Sequence, residues 1–220
     1  LLQGAALVAP LHVDVLITGP SGTGKSALAR AIAANSPRAA GPFVAINCAA
    51  IPDTLIESEL FGAERGAHST ATQRMVGKVA AADGGTLFLD EIGELSASAQ
   101  AKLLHLLQAR EYHPLGAAKA VAADLRIISA TNVELKQRVA ARQFREDLFY
   151  RLRVLPLQVP GLHERRDDIE PLVEHFAAET CRRHGFAPLA VSPRAVFACR
   201  EASWPGHIRD EVQGVGVRQR

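Results

Sequence analysis

The stretch Gly19-Pro20-Ser21-Gly22-Thr23-Gly24-Lys25-Ser26 decides how this chain is read. It matches GxxxxGK[ST], with an apolar run before it (Val13 to Thr18) and a helical stretch after it (Lys25 to Ala34), the context the motif requires. Glycines let backbone N–H groups turn inward around phosphate oxygens, where a Cβ would obstruct the turn or the ligand. Lys25 is then expected to reach the β and γ phosphates, the positive end of the following helix adds to that field, and the Ser26 hydroxyl is placed to ligate Mg²⁺. A nucleophile elbow at Ser21 is excluded, because GxSxG needs glycine where Thr23 stands.

Outward from this turn, apolar β-rich runs recur at Val13 to Thr18, Phe43 to Asn47, Thr86 to Asp90, Leu125 to Ala130 and Val154 to Val159. Five buried strands are expected. Helical stretches lie between them, among them Ser98 to Arg110, with leucines at helical spacing behind a serine cap. Such alternation predicts an α/β fold: a five-stranded parallel sheet sandwiched by helices, with its ligand site at the carboxyl ends of the strands. After about Leu162 the strands cease, and Asp167 to Arg183 and Ser192 to Ala202 read as amphipathic helices. The expected organisation is a nucleotide-binding core over 1–160 and a helical lid over 161–220, with Val159-Pro160-Gly161-Leu162 as linker. The mixed charges of Glu164-Arg165-Arg166-Asp167-Asp168 read as a solvated helix start.

Composition narrows the function classes. With 220 residues, 48% apolar and 22% charged, and with 17 glycines and 12 prolines spread without a period, the chain is neither disordered nor low-complexity. No apolar run reaches the roughly 18 residues a membrane span needs. The net charge of +2 gives no argument for nucleic acid, so DNA is expected to be reached only through a module outside this sequence. Three cysteines without a CxxC pair fit a reducing compartment, and the chain reads as cytoplasmic and as part of something longer. The eight histidines show no ligand spacing, which leaves Mg²⁺ as the expected metal.

The third strand delivers Asp90 and Glu91 to the carboxyl edge of the sheet, as a Walker B run does. Asp90 is expected to hold the hydration shell of Mg²⁺ with Ser26, and Glu91 to orient and deprotonate an attacking water, because phosphoryl transfer needs positioning and charge neutralisation more than covalent help. The fourth strand ends at Thr131-Asn132, two polar groups suited to sensing a γ phosphate, although Thr-Asn is also ordinary turn chemistry. Phe144-Arg145-Glu146-Asp147-Leu148-Phe149-Tyr150-Arg151-Leu152 sets two arginines six residues apart, whose planar forks suit a transferring phosphoryl group.

Together these stretches resemble the AAA+ ATPase domain of bacterial enhancer-binding proteins, the activators of sigma-54 RNA polymerase. The resemblance spans about Val13 to Arg209. Besides the P-loop and Walker B runs it includes Phe43 to Ala50, Glu57-Ser58-Glu59-Leu60-Phe61-Gly62, Phe144 to Leu152 and Trp204-Pro205-Gly206. It implies a homo-oligomeric ring, a hexamer, with ATP between subunits and hydrolysis driving a loop that remodels the closed complex of the sigma-54 RNA polymerase holoenzyme. Carried over by position, Lys25, Asp90 and Glu91 act in cis, and Asn47 resembles the asparagine that holds the Walker B glutamate inactive. Arg145 and Arg151 resemble arginine fingers given in trans, Thr131 and Asn132 look like sensor I, and Arg209 matches sensor II.

Three positions depart from the family pattern. Pro20 replaces an acid in the P-loop. The C-terminal signature WPGN[VI]REL reads Trp204-Pro205-Gly206-His207-Ile208-Arg209-Asp210-Glu211. The sigma-contacting GAFTGA loop reads Gly66-Ala67-His68-Ser69-Thr70-Ala71, which keeps a ring and a hydroxyl but loses a glycine. An alternative function follows from the last of these: a nucleotide-gated assembly module that binds ATP without productive sigma-54 contact. A P-loop kinase is disfavoured, since the acid pair suits water activation.

Overall fold

The computed structural model describes residues 2–67, 74–204 and 206–208. Five strands form one parallel sheet: β1 (Val15–Thr18), β2 (Phe43–Asn47), β3 (Thr86–Asp90), β6 (Arg126–Thr131) and β7 (Leu155–Gln158), in the order β2-β3-β6-β1-β7. Two short strands, β4 (Glu111–Tyr112) and β5 (Val121–Ala122), form a separate antiparallel pair that the sequence pattern did not announce. The helices of this part are α1 (Leu2–Val8), α2 (Lys25–Ala34), α3 (Asp53–Phe61), α4 (Lys78–Ala81), α5 (Ala97–Ala109), α6 (Leu135–Ala140) and α7 (Glu146–Leu152).

Both faces of the sheet are covered, which is why its central strands read as continuous apolar runs. Leu87 and Leu89 point to one face, into a core with Leu16, Ile127, Leu60, Leu103, Leu107 and Leu148 from β1, β6, α3, α5 and α7. Phe88 points the other way and stacks on Phe43 at 6.0 Å, with the Arg30 guanidinium of α2 over the Phe43 ring. The expectation of five buried strands holds for the centre and fails at the edges. β2 and β7 are partly exposed, and β7 carries Pro156, whose missing N–H is tolerated at a sheet edge.

Arg126 opens β6 almost fully buried and donates to three backbone carbonyls: Nε to Val13 at 3.0 Å, one terminal nitrogen to Ala9 at 2.9 Å and the other to Val8 at 3.0 Å. These carbonyls lie at the end of α1 and the entry to β1; that of Val8 also accepts from the Leu11 N–H at 3.1 Å. The guanidinium fork thus ties α1 to the sheet, and burial lowers its pKa.

The described residues separate into two compact units, one with residues up to Thr18 and Lys25–Gln158, the other with Gly19–Gly24 and the chain from Val159 onward. The expected boundary at residue 160 counted Gly19–Gly24 with the sheet. They group with the helical unit because the Gly22 carbonyl accepts from the Ile208 N–H at 3.0 Å and the Thr23 carbonyl from Arg165 at 2.7 Å. The second unit holds α8 (Ile169–His184) and α9 (Pro193–Glu201) around Leu162, Ile169 and Val173. α8 stops where Gly185 enters the left-handed region, and Ser192 caps α9 ahead of Pro193. Two 3₁₀ turns, Leu162–Glu164 and Arg166–Asp168, precede α8, so the helix starts later than Asp167.

Candidate functional site

Four strands of the sheet end side by side at one edge. In register, Thr18 lies opposite Thr131 and Asn47 opposite Asp90. Just past β1, the turn Gly19–Gly24 is held open by its glycines. Gly19 has φ +152° and its backbone lies so close to Val159 that a Cβ would come within 2.4 Å of that carbonyl oxygen. Gly22 and Gly24 also have positive φ, and the buried Thr23 closes the turn by donating from Oγ1 to the Pro20 carbonyl at 2.9 Å.

Beyond the turn, α2 opens with the buried Lys25 and then Ser26, whose hydroxyl donates to Asp90 Oδ2 at 3.0 Å. A residue of the P-loop helix and a residue 64 positions later at the end of β3 are therefore in direct contact. The other oxygen, Asp90 Oδ1, accepts from the Glu91 N–H at 3.1 Å, which fixes the carboxylate plane. Glu91 sits in the left-handed region, φ 52° and ψ 49°, a conformation that costs a side-chain-bearing residue on the order of 1 kcal/mol. That bend takes the chain out of the strand, and Glu91 Oε2 accepts from the Asn132 N–H at 3.1 Å. The strained acid is thereby held against the end of the neighbouring strand β6.

The other expected site residues fall as follows. Asn47 is exposed at the end of β2 and its Oδ1 accepts from the Ala49 N–H at 2.9 Å, capping the next turn. Thr131 is fully buried and its Oγ1 accepts from the Val133 N–H, so within the Thr131-Asn132 pair it is Asn132 that is exposed. Arg145 and Arg151 lie exposed on and beside α7. Arg145 pairs bidentately with Asp147, Nε to Oδ1 at 3.0 Å and a terminal nitrogen to Oδ2 at 2.7 Å. The hydrogen bonds of that pair lower the Asp147 pKa and raise that of Arg145. Arg151 donates to the Leu107 carbonyl at 2.8 Å, capping the last turn of α5. Arg209 and the segment His68 to Ala71 lie outside the described residues; Gly66 and Ala67 precede that segment.

Comparison with known families decides the assignment. The sigma-54 interaction domain model matches residues 1–158, and the AAA+ ATPase lid domain model matches residues 163–212. The chain belongs to the sigma-54 interaction domain family. It is 49% identical to the transcriptional regulatory protein GlrR of Escherichia coli over 212 residues, 96% of this chain and 48% of GlrR. It is 52% identical to a Nif-specific regulatory protein of Enterobacter agglomerans over 203 residues, 92% of this chain and 39% of that protein. Among solved structures, NtrX from Brucella abortus in complex with ADP superposes with a TM-score of 0.89 at 42% identity, covering 97% of this chain and 46% of NtrX. Hsp104 of Saccharomyces cerevisiae, at a TM-score of 0.64 and 16% identity over 94% of this chain and 40% of Hsp104, shares the fold. The fold is thus that of an AAA+ P-loop NTPase with a helical lid, and the chain spans about half or less of the length of these relatives.

Within this sigma-54 interaction domain, sequence reading missed Arg165. The local pattern reads it as part of a solvated helix start, yet its side chain is only 17% exposed and it donates to the Thr23 carbonyl of the glycine-rich turn. Its neighbour Glu164 is also engaged, accepting from the Gly161 N–H at 2.7 Å. A partner 142 residues away leaves no local periodicity to read. The brace from Asn132 to Glu91 was missed for the same reason, because its donor is a backbone group. Cys48 follows Asn47 and is buried; burial, reinforced by the charge of Asp90, pushes its thiol up to about 12. No group of three or more metal-ligating His, Cys, Asp or Glu side chains exists among the described residues, and no described helix is long and apolar enough to cross a membrane.

Proposed function

We propose that this domain is the ATP-hydrolysing module of a sigma-54-dependent transcriptional regulator, working in a homo-oligomeric ring that couples hydrolysis to remodelling of the RNA polymerase closed complex. The observation that carries the reading is the Ser26 to Asp90 contact with Glu91 braced beside it. A hydroxyl and a carboxylate at 3.0 Å are hard oxygen donors of the kind Mg²⁺ takes together with phosphate and water. Ser26 and Asp90 would hold that ion, whose charge offsets the charge of the phosphates.

In this reading the N–H groups of Gly19–Gly24 bind the phosphates and Lys25 reaches the β and γ groups. Glu91 accepts a proton from the water that attacks the γ phosphorus as the bond to the bridging oxygen breaks and ADP departs. Asn132 senses the γ phosphate through the end of β6, with the buried Thr131 shaping the turn. Asn47 lies opposite Asp90 across the β2 and β3 pairing, one residue from Glu91, and holds that acid away until the ring is remodelled. Arg145 and Arg151 neutralise charge at a neighbour's nucleotide, and Arg209 serves as the sensor II arginine. NtrX, similar over nearly the whole chain, has been solved with both ADP and ATP, which supports the choice of nucleotide.

Steady-state ATP hydrolysis measured against protein concentration tests this. The specific rate is expected to climb with concentration as shared sites assemble, and Lys25→Ala is expected to lose both nucleotide binding and turnover. A flat, negligible rate with ATP binding intact would instead favour the nucleotide-gated assembly module. That second reading draws on Gly66-Ala67-His68-Ser69-Thr70-Ala71 in place of GAFTGA. Restoring GAFTGA is expected to raise open-complex formation at a sigma-54 promoter without raising hydrolysis; no change in open complexes would sink the idea that this loop weakens sigma contact.

A further inference from the structure

Gln100 is a polar side chain only 1% exposed in the first turns of α5, and it uses each face of its amide. Its Nε2 donates to the Leu95 carbonyl at 2.8 Å and to the Gln143 carbonyl at 3.0 Å, while its Oε1 accepts from the Arg145 N–H at 2.9 Å. Leu95 is reached from Glu91 through one 3₁₀ turn, Ile92–Glu94, locked by the Glu94 N–H on the Glu91 carbonyl at 3.0 Å and the Leu95 N–H on the Ile92 carbonyl at 3.3 Å. Gln143 and Arg145 flank the buried Phe144, so a single side chain clamps the loop on both sides of that ring. A second, more exposed strut runs in parallel: Arg138 pairs with Glu94 at 2.7 Å and donates to Gln143 Oε1 at 3.3 Å.

We propose that Gln100 is a positioning residue that ties the segment after Glu91 to the backbone of Arg145, so that a subunit's own hydrolytic acid and the arginine it offers its neighbour move as one piece. This rests on the reading of Arg145 as acting in trans. The geometry favours it over a bland core amide, because only one bond, to Leu95 just before the Ser96 cap, is local to α5, and the three bonds together span two segments. They join the exit of β3 to the loop before α7, 43 and 45 residues beyond Gln100. Made by a side chain only 1% exposed, they are better shielded from water and salt than the Arg138 to Glu94 pair. A side chain at a reacting centre displaced by about 1 Å can lose on the order of 10²-fold in rate.

The test uses mixed rings of the full-length protein. Gln100→Met keeps the length of the side chain and removes all three bonds. Alone, it is expected to lower kcat at least tenfold with the KM for ATP within about twofold of wild type, since its own Lys25, Ser26 and Asp90 are untouched. Mixed with an excess of Lys25→Ala subunits, which cannot turn over but offer correctly held arginines, its turnover per Gln100→Met subunit is expected to recover in part, by the share lost through the arginine and not by the share lost through its own Glu91. Arg145→Ala mixed with Lys25→Ala is the parallel experiment. Recovery there without recovery for Gln100→Met would overturn the proposal and place Gln100 in the service of its own site alone. No recovery in either mixture would show that Arg145 does not act in trans, and the proposal falls with that reading. Should Gln100→Met not fold, Gln100→Glu decides in the same mixture. Its buried carboxyl, protonated, still accepts from the Arg145 N–H, and its turnover is expected to fall as rising pH ionises it; a pH profile like that of wild type without complementation would overturn the proposal.

Discussion

Glu91→Ala is expected to stop ATP turnover while leaving nucleotide binding within about twofold of wild type. Removal of a general base costs typically 10²–10⁴-fold, and the Lys25, Ser26 and Asp90 side chains that would hold the phosphates and their cation are unchanged. The fold should survive the substitution, since alanine meets the left-handed backbone at this position with no more strain than glutamate. Glu91→Gln separates two roles of the acid. It still offers an oxygen to the Asn132 N–H and so keeps the brace, but it takes up no proton. Both variants should therefore bind a fluorescent ATP analogue and fail in single-turnover hydrolysis. Hydrolysis by Glu91→Gln at the wild-type rate would show that the base is another group.

Arg151→Ala should lose at least on the order of 10³-fold in turnover and lose the dependence of specific rate on concentration, because an arginine finger contributes 10³–10⁵ in kcat. Beside the proposed finger role, Arg151 caps α5 through the Leu107 carbonyl. Loss of that cap should cost about 1 kcal/mol, or about 2–4 °C in Tm for a chain of this size. The two effects separate through Arg151→Lys, which keeps the charge and can reach the carbonyl but lacks the planar fork. Its Tm is expected near wild type and its turnover near that of Arg151→Ala. Turnover that falls only in proportion to Tm across the two variants would reduce Arg151 to a helix cap.

The central strands were legible because they are buried on both faces, so that Leu87-Phe88-Leu89 and Ile127-Ile128 read as unbroken apolar runs. The edges were less so. β7 carries Pro156, a residue that demotes a strand, and was still readable only because Leu155 and Leu157 flank it. Helices α2 and α5 announced themselves through a turn or a serine cap ahead of apolar spacing. The shorter helices α3, α6 and α7 interleave charged with apolar residues over too few turns for a clear stripe, and the two residues of each of β4 and β5 are too few for any period to emerge. At the site, residue identities were legible where one local motif supplies them, as in Gly19 to Ser26 and Asp90-Glu91. What was not legible is the wiring. The left-handed Glu91, the carbonyl of Thr23 on Arg165 and the triple bonding of Gln100 all depend on partners that only the folded chain brings near.

The thiol of Cys48 bears on how this domain behaves toward electrophiles. Only the thiolate attacks an alkylating reagent, and a group pushed up to about 12 exists as thiolate in a vanishing fraction of molecules near neutrality. Cys48 stands one residue after Asn47 and beside the acids, yet cysteine-directed probes pass it by as long as the sheet edge stays packed. Its modification keeps time for the opening of the core and reports nothing of the closed domain.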